Sequence, residues 1–242
     1  MIVIENLKKT FGEKTAVDIE SLTIRQGEMV GLVGNNGAGK TTLFRLLLDL
    51  LKADEGKVTL EVTDPKTQQK EQVNPAENEQ WKNYTGAYID EGFLIDFLTP
   101  EEYFEFIGKV NNMTSEEINQ RQQDFTQLMG GEILEQKKYI RNLSAGNKQK
   151  VGIIAALFNQ PQLVILDEPF NFLDPSSQII LKKSLKDYCE QHGATVLISS
   201  HNLQHTIDIS TRIILMEHGK LIKDLPNENG SAENELEAYF NV

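Results

Sequence analysis

The chain has 242 residues, 39% hydrophobic and 25% charged, the balance of a globular protein long enough to bury a sizeable core. Asp and Glu outnumber Lys and Arg 36 to 24, a formal charge of -12 that argues against nucleic acid as a partner. The single cysteine, Cys189, excludes an internal disulfide or a cysteine-based metal cluster, and no apolar run approaches the roughly 18 residues of a membrane span.

In chain order, Ile2 to Leu7 reads as a strand, as do Leu22 to Arg25 and Glu28 to Val33 on either side of Gln26-Gly27. The last of these is apolar on both faces, the pattern of a buried strand. Gly34 to Gly39 is a glycine-rich loop, and Lys40 to Leu51 is helical, with Leu43, Leu46, Leu47 and Leu50 on one face. Lys57 to Val62 alternates like a strand. Asp64 to Lys82 is rich in Gln, Glu, Asn and Lys and carries Pro65 and Pro75; it reads as a surface excursion. Thr85 to Ile89 is a strand, and Pro100 to Gly108 and Ser115 to Met129 are helices, with Thr99 and Ser115 as caps. Residues from about 92 to 159 lack clear strands and read as a helical subdomain. Leu163 to Leu166 is a short buried strand, and Pro175 to Gln191 a helix with Asp174 before its first-turn proline. Thr195 to Ser199, Ile213 to Glu217 and Lys220 to Leu225 complete the strands. From Pro226 the chain carries Glu228, Glu233, Glu235 and Glu237 and no base, so a solvated end with a small terminal helix is expected.

Two motifs carry chemistry. Gly34-Asn35-Asn36-Gly37-Ala38-Gly39-Lys40-Thr41, with Thr42 following, fits the phosphate-binding pattern G-x-x-x-x-G-K-[ST] between a strand and a helix. Its glycines let backbone N–H groups turn inward toward phosphate oxygens. Lys40 can reach the terminal phosphates, and the Thr41 hydroxyl can ligate Mg²⁺. Leu163-Val164-Ile165-Leu166-Asp167-Glu168 is a buried strand that ends in two acids. Ligands of parallel sheets sit at such carboxyl ends. Asp167 is placed to face the metal through water, and Glu168 to act as general base toward an attacking water.

Between these motifs, Leu143-Ser144-Ala145-Gly146-Asn147 resembles the LSGGQ signature of ATP-binding-cassette (ABC) ATPases, the nucleotide-binding subunits of ABC transporters. Phe11, the phosphate loop, the signature, LVILDEP, Leu173-Asp174 and Ser199-Ser200-His201 follow in that family's order, over about Ile2 to Leu225. The resemblance implies an α/β P-loop NTPase core of mixed, mainly parallel sheet, with an antiparallel β subdomain and an inserted helical subdomain. It places the core at about 1–91 and 160–225, the helical signature subdomain at about 92–159 and an acidic tail at 226–242. It further implies two subunits, identical or paralogous, packed head to tail around two ATP molecules with Mg²⁺. Ser144 and Gly146 would then meet the γ-phosphate bound by the other subunit. His201 would hold the attacking water with Glu168, Asp174 would couple the two sites, and Phe11 would stack on adenine.

Some positions depart from the family pattern. Asp90, followed by Glu91, stands where the family has a Gln, which makes Asp90 a third candidate metal ligand beside Thr41 and Asp167. Ala145 and Asn147 replace Gly and Gln, and Phe170-Asn171-Phe172 is bulkier than the usual small residues. The function implied is an Mg²⁺-dependent ATPase driving a separate integral-membrane permease, with export favoured, cytoplasmic and peripheral at the inner face of the cell membrane. The alternative is a soluble, non-transport ABC ATPase of the assembly-scaffold type.

Overall fold

The computed structural model describes residues 1–64 and 67–240. Pro65, part of the expected surface excursion, lies outside them.

The chain opens with a hairpin, β1 (Ile2–Phe11) against β2 (Lys14–Ile24). Both strands outrun the sequence expectation. Ile2 and Ile4 face the core, and the alternation then slips by one residue at Asn6, whose φ is 49°, so that Leu7 is also buried. A bulge of this kind breaks the period-two signal on which a strand assignment rests. β3 (Met29–Val33) is buried at every residue and leads through the glycine loop into α1 (Lys40–Leu47). That helix stops four residues before the expected Leu51. Leu48 caps it and Asp49 takes a φ of 49°. β4 (Glu55–Thr63) and β5 (Lys70–Val73) complete a four-stranded antiparallel sheet in the order β2-β1-β4-β5. The excursion at 64–82 therefore contains a strand, and also a short 3-10 turn, Gln80–Tyr84, that buries Trp81.

β6 (Thr85–Tyr88) is followed by a strand-free stretch, as expected. It holds α2 (Pro100–Val110), α3 (Ser115–Asp124), α4 (Thr126–Met129) and α5 (Ala145–Leu157). Thr99 with Glu102 and Thr114 with Glu117 form capping boxes, so the second cap is Thr114 and not Ser115. The helix expected over 115–129 is split at Phe125. Phe104 stacks on Phe158 with centroids 5.3 Å apart. Both belong to a buried cluster that runs on to Val164, Leu166, Val196 and Ile198 of the sheet, so the helical region shares its core with the sheet.

β7 (Leu163–Leu166), α6 (Pro175–His192), β8 (Thr195–Ser200), α7 (Leu203–Ile209), β9 (Arg212–Glu217) and β10 (Lys220–Pro226) follow. The second sheet has the order β10-β9-β3-β8-β7-β6, parallel except for the β9–β10 hairpin. Val33 lies opposite Ser200, and Leu166 opposite Ile198 and Tyr88. The carboxyl ends of β3, β6, β7 and β8 thus share one edge, which is where the motif residues follow.

The expected solvated end is instead docked. α8 (Glu233–Phe240) buries Leu236, which packs with Ala232 against Val33, Ile207, Ile213 and Leu215. The Asn227 amide donates to the carbonyls of Ile207 and Ser210 at 2.8 Å each, and its oxygen accepts from the Ala232 N–H. Glutamates on the outer face concealed this apolar seam in the composition. Leu236→Ala should therefore cost about 2–5 kcal/mol in urea unfolding. A solvated tail would lose less than about 0.5 kcal/mol.

Candidate nucleotide site

The phosphate loop is shaped by backbone that only glycine accepts at its tightest point. Gly39 has a φ of 109°, and a Cβ there would stand 2.3 Å from the Ala16 carbonyl oxygen. The loop closes on itself through the Ala38 N–H, which donates to the Asn35 carbonyl at 3.0 Å. Lys40 begins α1 and is only 7% exposed. Its ammonium donates to the Gly34 carbonyl at 2.6 Å and lies 3.9 Å from Glu168 Oε1. Burial pushes the Lys40 pKa down, while Glu168 and Asp167 pull it back up. A cleft of about 310 Å³ runs over Asn36, Gly37 and the start of α1, with Phe11, Lys14 and Ala16 at one side and Glu168 at its end. Phe11 closes β1 and is 52% exposed, so its ring is available for stacking.

The two acids follow β7. Asp167 is buried and accepts from the Thr41 hydroxyl at 2.5 Å and from the Ser199 hydroxyl on its other oxygen. Glu168 sits at a φ of 48°, left-handed for a residue with a side chain. Its N–H donates to Ser199 Oγ at 2.9 Å, and its carbonyl accepts from the Gln149 amide at 3.1 Å. Its Oε2 accepts from the His201 N–H at 3.2 Å and lies 2.8 Å from His201 Nδ1. An ionised carboxylate only accepts, so the Nδ1 of His201 carries the proton of that contact. Lys40, Thr41, Asp167, Glu168 and His201 are therefore one connected group, joined in part through Ser199.

The signature residues lie elsewhere on the chain. Ser144 caps α5 by accepting from the Asn147 N–H at 3.2 Å, so this helix starts two residues earlier than Asn147. A Cβ on Gly146 would stand 2.6 Å from the Phe172 carbonyl oxygen, which ties the signature to the segment after Glu168. Asp174 caps α6; it accepts from the Ser176 hydroxyl, from the Ser177 hydroxyl at 2.5 Å and from the Ser177 N–H at 3.0 Å. The oxygens of Asp90 accept from the Gly92 N–H at 2.8 Å and from Arg45 at 3.2 Å. Of the three candidate metal ligands, Thr41 and Asp167 are thus in contact, and Asp90 is held by Arg45.

The family described as ABC transporter matches residues 17–171. The chain belongs to that family. The bacitracin transport ATP-binding protein BcrA of Enterococcus faecalis is 32% identical over 242 residues, 100% of this chain and 74% of that protein. The methionine import ATP-binding protein MetN of Rhizobium johnstonii is 30% identical over 225 residues, 93% of this cassette and 60% of that protein. Across the similar curated proteins the cassette spans between 54% and 74% of their length. A dimeric structure of a bacterial ABC transporter cassette matches with a TM-score of 0.79 and 26% identity, over 95% of this cassette and 100% of that chain.

The donor chemistry of the ABC cassette fits ATP with Mg²⁺. Thr41 and Asp167 offer hard oxygen donors side by side, the donor type that Mg²⁺ takes. No helix among the described residues is long and apolar enough to cross a membrane.

Sequence reasoning did not single out the Arg45 partner of Asp90, the Gln149 contact to Glu168 or the two bonds of Ser199. Each joins separate elements of the chain, and no motif names the pairing.

Asp174 supplies a pH test. The hydroxyls of Ser176 and Ser177, with the Ser177 N–H, hold its carboxyl below the usual carboxylate range. A depressed folded pKa stabilises the fold above the unfolded value near 3.9, and that contribution is lost as pH falls below it. Asn also caps helices but does not titrate there. The urea midpoint of Asp174→Asn should accordingly fall less between pH 5 and about pH 2 than that of the parent chain.

Proposed function

We propose that this chain is an ATP-hydrolysing subunit that binds Mg²⁺-ATP, pairs with a second ABC subunit and drives a separate membrane permease. The observation that carries hydrolysis is the Glu168 carboxylate, held by His201 at 2.8 Å and lying 3.9 Å from the phosphate-loop Lys40. A base belongs at that end of the cleft. Phe11 stacks on the base of the nucleotide. The glycine loop, Lys40 and Thr42 hold its phosphates, and Thr41 and Asp167 hold Mg²⁺. Mg²⁺, when bound, neutralises charge on the β- and γ-phosphate oxygens. Glu168 takes a proton from water as the water oxygen bonds to the γ-phosphorus. The bond to the β-phosphate oxygen breaks, leaving ADP and phosphate. His201 keeps Glu168 aimed, since its Nδ1 and its backbone N–H both bind the same carboxylate oxygen. Ser144 and Gly146, at the start of α5, are offered to the γ-phosphate of the other subunit. Asp174 lies at the segment that links the two sites.

The transport reading is supported by the transport names of the curated relatives, and the pairing by the dimeric solved cassette. The chain would sit at the cytoplasmic face of the membrane through its permease. We favour export on the acidic Asp90-Glu91 pair where the family has a Gln. No observation favours the assembly-scaffold alternative.

Glu168→Gln should bind ATP with near-parent affinity while turnover falls at least about 10²-fold. Isothermal titration and phosphate release measure the two; full turnover would remove Glu168 as the base. Asp90 is left out of the metal set because Arg45 and the Gly92 N–H engage its oxygens. Asp90→Gln should leave the half-saturating Mg²⁺ concentration for ATPase activity within about twofold, whereas a loss of 1.4 kcal/mol in metal binding would shift it about tenfold.

A further inference from the structure

Ser199 lies in β8, one residue before its end and two before His201, and is fully buried. Two hydrogen bonds meet on its oxygen. The Glu168 N–H approaches at 2.9 Å, and Asp167 Oδ1 is the second partner. The direction of both follows from the groups themselves. A backbone N–H can only donate, so Ser199 accepts there, and its single proton is left for the Asp167 carboxylate. The other oxygen of Asp167 takes the Thr41 hydroxyl. One polarised line therefore runs from the Glu168 backbone through Ser199 to Asp167, which Thr41 joins from the other side.

This line matters because Glu168 is strained. Its φ of 48° is a left-handed conformation that a side-chain-bearing residue holds only when its surroundings impose it. Its surroundings hold it at each polar group: Ser199 on its N–H, Gln149 and the Asn171 N–H (3.2 Å) on its carbonyl, and His201 with Lys40 at its carboxylate. Ser199 also fixes the neighbouring Asp167. An alanine at 199 would leave the Glu168 N–H and one buried carboxylate oxygen without these partners.

We propose that Ser199 is a positioning residue for ATP hydrolysis: its hydroxyl locks the strained Glu168 backbone and aims Asp167 at Thr41, so base and metal ligand are held in one geometry. It acts through Glu168 and Asp167, and the proposal rests on the role of Glu168 as base given above.

The test uses the full chain with Ser199→Ala, the volume-matched Ser199→Cys and the hydroxyl-retaining Ser199→Thr, alongside Glu168→Gln. In nucleotide-free protein, Ser199→Ala and Ser199→Cys should raise the amide hydrogen-exchange rate of Glu168, read by NMR, about tenfold over the parent. With Mg²⁺-ATP their kcat should fall about 10- to 100-fold, as expected for a base displaced by up to about 1 Å. Their KM should change much less than their kcat, because the displaced base enters only the chemical step. Ser199→Thr should regain most of the lost kcat and the slow exchange. Urea midpoints check that each variant is folded, and Ser199→Cys carries the test if Ser199→Ala is not. Parent-like kcat in the folded Ala and Cys variants, with Glu168→Gln inactive, overturns the role of Ser199 and leaves the base in place. A change in KM alone, or a stable Ser199→Thr no faster than Ser199→Ala, also overturns it. Full turnover by Glu168→Gln removes the base and this proposal with it.

Discussion

The parallel pairing of β3, β8, β7 and β6 is the constraint on which the site depends. Val33 opposite Ser200 and Leu166 opposite Ile198 bring the strand ends to one edge. Thr41 and Asp167, 126 residues apart in sequence, can then share a hydrogen bond. β3, β7 and β8 are buried at every residue. At about 25 cal/mol per Å² of apolar surface, such strands supply much of the burial that offsets the entropy of folding. The residues of the candidate site thus follow directly on fully buried strands.

That rigidity is used to hold strained conformations. Glu168 and Phe172 both have positive φ, at 48° and 63°, and such conformations cost L-residues roughly 1–2 kcal/mol each. The Glu168 backbone is bonded at both its N–H and its carbonyl. The carbonyl of Phe172 occupies the space that a side chain at Gly146 would need. The signature and the segment after Glu168 are therefore shaped against each other within one chain, and the glycine of the signature has a packing reason here besides any contact with phosphate.

Charge is distributed locally and not as the net value suggests. The chain is acidic overall, yet Lys40 is buried facing two carboxylates, which compensate part of its desolvation. At the entry to the helical region, Asp90 pairs with Arg45 of α1 and Glu91 with Lys148 of α5. These partly exposed pairs contribute little to stability. They do connect the segment after β6 both to the phosphate-loop helix and to the signature helix.

How much was legible varies with the range of the interactions. The glycine loop and the acids after a buried strand are local patterns whose chemistry is carried by residue type, so the α/β class and the candidates Lys40, Thr41, Asp167 and Glu168 could be named from them, whereas His201 entered through the order of the family motifs. Strand lengths were less legible where Asn6 breaks the alternation of β1. β5 lay hidden in a polar stretch because its stabilisation comes from pairing with β4. The acidic outer face of α8 obscured Leu236, which is buried only because β3, β9 and α7 form its seat. The contacts of Asp90 with Arg45 and of Ser199 with Asp167 and Glu168 had no signal, since a polar side chain acquires a role from what folding brings within hydrogen-bonding distance. Sequence alone determined the α/β class, the motifs and the chemical groups they carry. Tertiary structure decided which hydroxyl meets which carboxylate, because hydrogen bonds between distant elements follow strand register and backbone strain that composition does not encode.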